Sequence, residues 1–350
     1  MPIAHRKPAR YKPDKTHSFP QEWTPGMAPT ASNLDTLVTV FGGSGFLGRS
    51  VVRALCKRDY RIRVAVRRPE LAGFLQPSGK VGQVHAVQAN LRYPASVEAA
   101  LRDSQVVINL AGILAESGAQ TFDAVQARGA ETLAKAAAAA GAGMVHVSAI
   151  GADAESPSRY ARAKAAGEAA VLAAVPSATI FRPSVMFGPE DQFTNRFAAL
   201  ARMSPVLPLI GGETKMQPVY VGDVATAIAD AVDGKAKAGA TYELGGPEVL
   251  TMREIIKAIL DITDRQRMLI PLPFGLARFN ANFLQFAPGA FKLTPDQVTL
   301  LERDNVVSDA AKTAGLTLEG LGITADSLEA IAPQYLWRFR AAGQFQRKSA

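Results

Sequence analysis

The 350-residue sequence contains one cysteine, Cys56, which excludes an internal disulfide and a cysteine-based metal cluster. The run Ala54-Leu55-Cys56 reads as the inner face of a helix, so a buried, inert thiol is expected. The four histidines lie far apart without metal-ligand spacing, and no metal site is expected. No apolar run approaches the ~18–20 residues that a membrane-spanning helix needs. The N-terminus lacks the apolar stretch of a secretory signal. Together these absences point to a reduced compartment, cytosolic or matrix-like.

What the chain does have is ordinary for a folded protein: 48% hydrophobic and 20% charged residues. The net charge of +8 is unevenly placed. Residues 1–26 carry +3 and residues 331–350 carry +4, which leaves +1 for the body. The body therefore needs no polyanion to explain it, and no nucleic-acid partner is expected. Residues 1–33 are rich in proline and bases and have no apolar period, as in a flexible tail. Met27 is a candidate alternative start within it. A transit peptide fits less well, because the tail contains acids and many prolines.

From Thr36 onward, short β-branched runs alternate with helical patterns. Strands are expected over 37–41, 61–66, 84–88, 106–110, 144–148 and 178–181, and helices over 46–57, 124–140 and 158–174. That alternation predicts an α/β fold, a Rossmann-type doubly wound parallel sheet over 34–183. Beyond Pro183 prolines crowd in and helical stretches near 222–232, 251–261 and 273–286 predict a smaller substrate-type lobe over 184–330, interleaved with the sheet. Residues 331–350 read as a basic, aromatic tail.

Gly42-Gly43-Ser44-Gly45-Phe46-Leu47-Gly48 lies between the first strand and the first helix, with glycines 42, 45 and 48 in GxxGxxG spacing. In that context glycines let a pyrophosphate approach the helix N-terminus, where backbone amides and the helix dipole favour an anion. The second strand ends Val66-Arg67-Arg68-Pro69, with no acid to accept a ribose 2′-hydroxyl. Arg67 and Arg68, with Arg49 after the last motif glycine, suit a 2′-phosphate, so NADPH is expected over NAD. Tyr160 and Lys164 are spaced to share one helix face.

The glycine pattern, Asn109-Leu110-Ala111-Gly112 and Tyr160-x-x-x-Lys164 resemble the short-chain dehydrogenase/reductase superfamily. Arg182-Pro183-x-x-x-x-Gly188-Pro189 and Gln217-Pro218-Val219-Tyr220-Val221-Gly222-Asp223-Val224 narrow the likeness to its extended or atypical branch, which includes nucleotide-sugar epimerases and reductases. Gln88-Ala89-Asn90-Leu91-Arg92 and the run from Ser158 to Glu168 resemble the accessory subunits of respiratory complex I built on this fold.

That resemblance implies a cofactor held by Gly42, Ser44, Gly45, Phe46, Leu47, Gly48, Arg49, Arg67, Arg68, Asn90, Leu91, Leu110, Ala111, Gly112, Ser148, Tyr160, Lys164, Arg182 and Pro183. Tyr160, Lys164 and Ser148 are the implied catalytic set, active or relic, although the twelve-residue spacing from Ser148 to Tyr160 is tighter than in many extended members. Asn109 is expected to brace the central strands, His146 to be a satisfied core residue, and Asp223 to cap the next helix.

The likeness also implies complex I peripheral-arm subunits as partners. The place would be peripheral to the cytoplasmic membrane in a bacterium, or on the matrix side in a mitochondrion. Two other readings stay open: a free NADP-dependent reductase or epimerase acting on a nucleotide-sugar, isoprenoid or quinone-related substrate, and a module sensing the NADPH/NADP⁺ ratio. Helically spaced aromatics at 279, 283 and 286 predict either a docking or membrane-facing helix or lobe core. The Arg-rich aromatic end suits an anionic membrane surface, a protein groove or a solvated tail.

Overall fold

A computed structural model describes residues 33–341; the expected tail up to Ser32, with its candidate start at Met27, and the last bases, Arg347 and Lys348, lie outside them. In the first half come β1 (Leu37–Phe41), α1 (Phe46–Cys56), β2 (Arg61–Val66), β3 (Val84–Gln88), α2 (Pro94–Leu101), β4 (Val106–Asn109), α3 (Arg128–Ala139), β5 (Gly143–Val147), α4 (Arg159–Ala174) and β6 (Thr179–Pro183); the strands and α1, α3 and α4 fall where expected, whereas α2 was not among the expected helices. Then follow β7 (Met186–Phe187), α5 (Thr194–Met203), β8 (Val206–Ile210), β9 (Lys215–Met216), β10 (Val219–Tyr220), α6 (Val221–Val232) and β11 (Thr241–Leu244). The chain continues through β12 (Leu250–Thr251), α7 (Met252–Ile262), β13 (Met268–Leu272), α8 (Phe274–Leu284), α9 (Pro295–Leu300), α10 (Asp309–Thr313), α11 (Leu328–Ile331) and α12 (Pro333–Leu336).

The central sheet runs β11-β6-β5-β4-β1-β2-β3, with every pairing parallel. Strands β1, β4 and β5 are buried at every position because helices cover both faces, which is why they read as unbroken apolar runs. Helices α1 and α6 pack on one face, with Val51, Leu55, Val224 and Ile228 buried, and α2, α3 and α4 on the other, with Val97, Leu133 and Val171 buried. The strand order reverses between β1 and β4, and ligands of open α/β sheets bind at that edge.

The expected division near residue 183 is crossed by the sheet, since β11 of the later segment pairs with β6 from Thr241↔Ile180 to Leu244↔Pro183. A separate core gathers Phe187, Leu207, Ile255, Ile259 and Leu336. Residues 331–341 are no tail: Ala332, Tyr335 and Leu336 are buried in that core, because apolar side chains recur at helical spacing there. In α8 the small residues Ala277 and Ala281 face inward, while Phe279 and Phe283, and Phe286 just past the helix end, are 60%, 66% and 83% exposed. The lobe-core reading therefore fails for these rings, which point out. Among the described residues no helix is long and apolar enough to cross a membrane.

Candidate dinucleotide site

Gly42 bends the chain out of β1 at φ +80°, and a Cβ there would lie 3.0 Å from the Ala111 nitrogen and the Leu110 carbonyl carbon. The glycine turn thus lies flush against the end of β4. Gly48 is tighter: a Cβ would meet the Gly42 oxygen at 2.3 Å. Gly45 precedes α1, and no side chain caps that helix, so its first-turn amides are left to a ligand or to water. Among the described residues Arg67 and Arg68 are exposed and their guanidinium groups have no hydrogen-bond or ion-pair partner. The ten residues Pro69–Ser78 form a 3₁₀ segment whose Phe74 ring lies 4.5 Å beneath the Arg49 guanidinium, which is also 3.7 Å from Glu190. Asn90 turns inward on its own loop, its Oδ1 accepting from the Arg92 amide at 3.1 Å, and Leu91 packs toward Gly129.

At the other end of the groove Lys164 is buried and donates from Nζ to the Val147 carbonyl at 3.1 Å. Burial lowers its pKa from 10.5 to about 8, with Glu168 opposing. Tyr160 rests edge-on against Phe122, and its ring centroid is 5.9 Å from the Lys164 Nζ. Burial first, and the Asp296 charge second, push the Tyr160 phenol up to about 12. Its hydroxyl, though partly exposed, has no partner among the described residues.

Three buried side-chain atoms lack a partner among the described residues: Ser148 Oγ, Gln126 Oε1 and His146 Nε2. Buried polar groups are nearly always paired, so each such atom asks for an occupant. All three belong to the Lys164 neighbourhood. Ser148 follows Val147, and the Lys164 charge joins burial in lowering the His146 pKa to about 3. A Cβ on Gly112 would find only Lys164 Nζ at 3.6 Å and Gln126 Nε2 at 3.8 Å, so the backbone there is open to a ligand. Uncapped amides at α1, the open backbone at Gly112 and orphaned polar atoms near Lys164 fit an extended dinucleotide, with phosphates at one end and the redox ring at the other.

Other expected residues go elsewhere. Arg182 is held by ion pairs: it clasps Glu168 through two bonds of 2.9 and 2.6 Å, with Glu243 at 3.8 Å, because two carboxylates flank it on α4 and β11. Pro183 ends β6 and its carbonyl accepts from the Ile150 amide at 3.1 Å. Asp223 is not the helix cap, since Tyr220 holds that position; Asp223 sits in the first turn of α6 and accepts from the Asp326 amide at 2.8 Å. Its burial raises the pKa to about 6. Asn109 does brace the sheet, accepting from the Ala111 amide and donating to His146 Nδ1, each at 3.1 Å. That bond leaves His146 only half satisfied, a correction to the expected core residue. Cys56 is buried as expected, its thiol pushed up to about 11 by burial.

Gln126 is the residue that sequence reasoning misses. The alanine-rich run predicts helix from 124, but Asp123–Ala127 form a π turn before α3. Such turns re-aim side chains at functional sites. No periodicity signals it, although Gly167 records it: a Cβ there would lie 2.2 Å from the Gln126 carbonyl oxygen.

Asp296, at the start of α9, accepts from the Ser158 hydroxyl at 2.8 Å and from the Arg159 and Tyr160 amides at 2.7 and 3.2 Å. The lobe thus caps the helix that carries Tyr160 and Lys164. Asp296→Ala should cost about 1–2 kcal/mol of unfolding free energy in a urea titration, and Asp296→Asn should recover part of it. Lys164→Met should stabilise the protein by roughly 1–3 kcal/mol at neutral pH. The lysine is charged there in both folded and unfolded chains but desolvated only in the fold. As pH rises from about 8 to 10.5 the folded group is neutral and the unfolded one still charged, so parent stability climbs. The advantage of the variant should therefore fade across that range in thermal melts.

Comparisons with known proteins bear on this geometry. Residues 36–274 match the model of the RmlD substrate binding domain family. The chain is 38% identical to the Arabidopsis thaliana protein named NADH dehydrogenase [ubiquinone] 1 alpha subcomplex subunit 9, mitochondrial, over 88% of this chain and 79% of that one. It is 37% identical to a Caulobacter vibrioides protein named ceramide reductase, over 57% of this chain and 61% of that one. Among solved structures, an Escherichia coli NADPH-dependent quinone oxidoreductase, crystallised with NADPH, superposes with a TM-score of 0.67 at 21% identity, over 85% of this chain and 99% of that one.

Proposed function

Because the chain belongs to the short-chain dehydrogenase/reductase superfamily, with an alpha subcomplex subunit 9 protein of complex I as a relative over 79% of that protein's length, we propose that it is an NADPH-holding, non-turnover accessory subunit or assembly factor of respiratory complex I. The observation that carries the reading is the extent of the 38% identity, which runs over 88% of the chain and so includes lobe as well as cofactor domain. The free guanidinium groups of Arg67 and Arg68 favour NADPH over NAD. The place is peripheral to the membrane that holds the complex, facing the cytoplasm in a bacterium or the matrix in a mitochondrion, with the exposed rings of α8 toward the lipid surface. Complex I purified from native membranes and analysed by mass spectrometry should contain this chain, and its consistent absence sinks the reading.

The presence of Ser148, Tyr160 and Lys164 together, and the 37% identity to a protein named ceramide reductase, favour a second reading: a free NADP-dependent reductase. That reading expects substrate-dependent NADPH oxidation, lost in Tyr160→Phe. No turnover over a broad carbonyl panel counts against it.

A further inference from the structure

Five arginines converge at one end of the lobe. Phe339 is their hub: the Arg202 and Arg338 guanidinium carbons lie 5.8 and 5.3 Å from its ring centroid. Arg265 donates from Nε to the Phe339 carbonyl at 3.0 Å. Arg340, the next residue, donates from Nε to the Ile262 carbonyl at 2.8 Å. Arg267 donates from Nε to the Ala201 carbonyl at 2.7 Å, beside Arg202. Among the described residues none of the five forms an ion pair with a carboxylate, even though Asp261 and Asp264 stand close by in sequence at the end of α7. After burial, the charges of Arg267 and Arg202 are what lower the pKa of Arg265, so the group repels itself.

A chain that builds such repulsion and leaves it uncompensated has a site for an anion. The backbone bonds on Nε fix three guanidinium planes. Arg267 spends one terminal N–H on the Gln266 carbonyl at 2.8 Å, and Arg338 donates to the Pro189 carbonyl and Asn195 Oδ1 at 2.9 and 2.7 Å. The terminal N–H groups of Arg202, Arg265 and Arg340 have no partner among the described residues, and they supply the fork that phosphate oxygens match in pairs. The surroundings are apolar: Met203 and Met268 are 52% and 65% exposed, and Trp337 is 36% exposed. Residues 265–295 contain four bases and no acid. Basic forks beside exposed methionine and tryptophan match the boundary between headgroups and acyl chains, where cations meet phosphate and apolar side chains enter the lipid.

We infer that the Arg202, Arg265, Arg267, Arg338 and Arg340 cluster is a phosphate site for anionic phospholipid headgroups of a bilayer surface. The inference rests on the membrane-surface part of the proposed function and deepens it by naming the residues that hold the lipid. The test uses the full chain and flotation with phosphatidylcholine vesicles, with and without phosphatidylglycerol. The parent protein should bind the anionic vesicles and not the neutral ones. Arg202→Gln/Arg265→Gln/Arg267→Gln should weaken that binding roughly 100-fold, at about fivefold per arginine. The exposed control triple Lys57→Gln/Arg102→Gln/Lys237→Gln removes equal charge elsewhere and should weaken it less than about tenfold. Among the described residues Arg202 has no hydrogen-bond partner to lose, so Arg202→Glu keeps the test alive if the triple misfolds, and should weaken binding roughly 25-fold. Equal losses in the two triples overturn the site while leaving membrane contact standing. Failure of the parent to bind anionic vesicles overturns both. Cluster variants that float like the parent but drop out of the purified complex also overturn the lipid assignment, in favour of an acidic protein segment.

Discussion

NADPH affinity should fall roughly 100-fold in Arg67→Ala/Arg68→Ala, while NADH affinity moves less than about threefold. The expected size follows from charge-assisted hydrogen bonds of about 1.5–3 kcal/mol each, partly redundant between neighbouring guanidinium groups. Both side chains are exposed at the end of β2 and have no partner to release, so the loss should not reach the fold. Isothermal titration with both cofactors, beside a thermal melt, reads the two quantities apart. Equal losses for NADPH and NADH would place the arginines on the shared part of the dinucleotide. Arg49 is a poorer choice for this experiment, since its stacking on Phe74 also packs the 3₁₀ segment against α1.

Gly48→Ala should destabilise the protein by about 3 kcal/mol and remove dinucleotide binding with either cofactor. The new methyl would meet backbone, the Gly42 oxygen at 2.3 Å and the Gly43 Cα at 2.6 Å, and backbone cannot swing aside as a long side chain does. Relief requires α1 to move away from β1, which displaces the first-turn amides from the phosphate position. Gly73→Ala is the control, because nothing lies within 4 Å of its added methyl. It should change the urea midpoint little. A Gly48→Ala protein with parental stability and affinity would contradict the close approach of turn and helix.

The strands through β6 were readable because a parallel sheet covered on both faces writes itself as β-branched runs such as Leu37–Phe41, whereas the short helix α2 was not among the expected elements. The glycine turn was readable for a similar reason: local backbone geometry demands glycine at positions 42 and 48. What could not be read depends on distant partners. Arg182 sits in a family motif, yet its role follows from Glu168 and Glu243, which only the folded sheet brings to it. Asp296 lies 136 residues from Tyr160 and has no local pattern that announces it. The π turn at Asp123–Ala127 sits next to an alanine-rich run whose propensity favours plain helix, so the aim of Gln126 is set by α4 pressing on it through Gly167. The outward rings of α8 were undecided in sequence because helical spacing is the same for a core face and an exposed one.

The place of β11 has a consequence for synthesis on the ribosome. Its partner β6 ends at Pro183, but Thr241–Leu244 emerges about 60 residues later. At ~5–20 residues per second, the nascent sheet stands for roughly 3–12 s with the β6 edge unpaired. During that interval Arg182 has Glu168 but not Glu243, and the apolar strand edge is open to other chains. Fragments ending near residue 183 should therefore aggregate, whereas those extending past Leu316, whose carbonyl accepts from the Glu243 amide at 2.9 Å and so covers the outer side of β11, should stay dispersed.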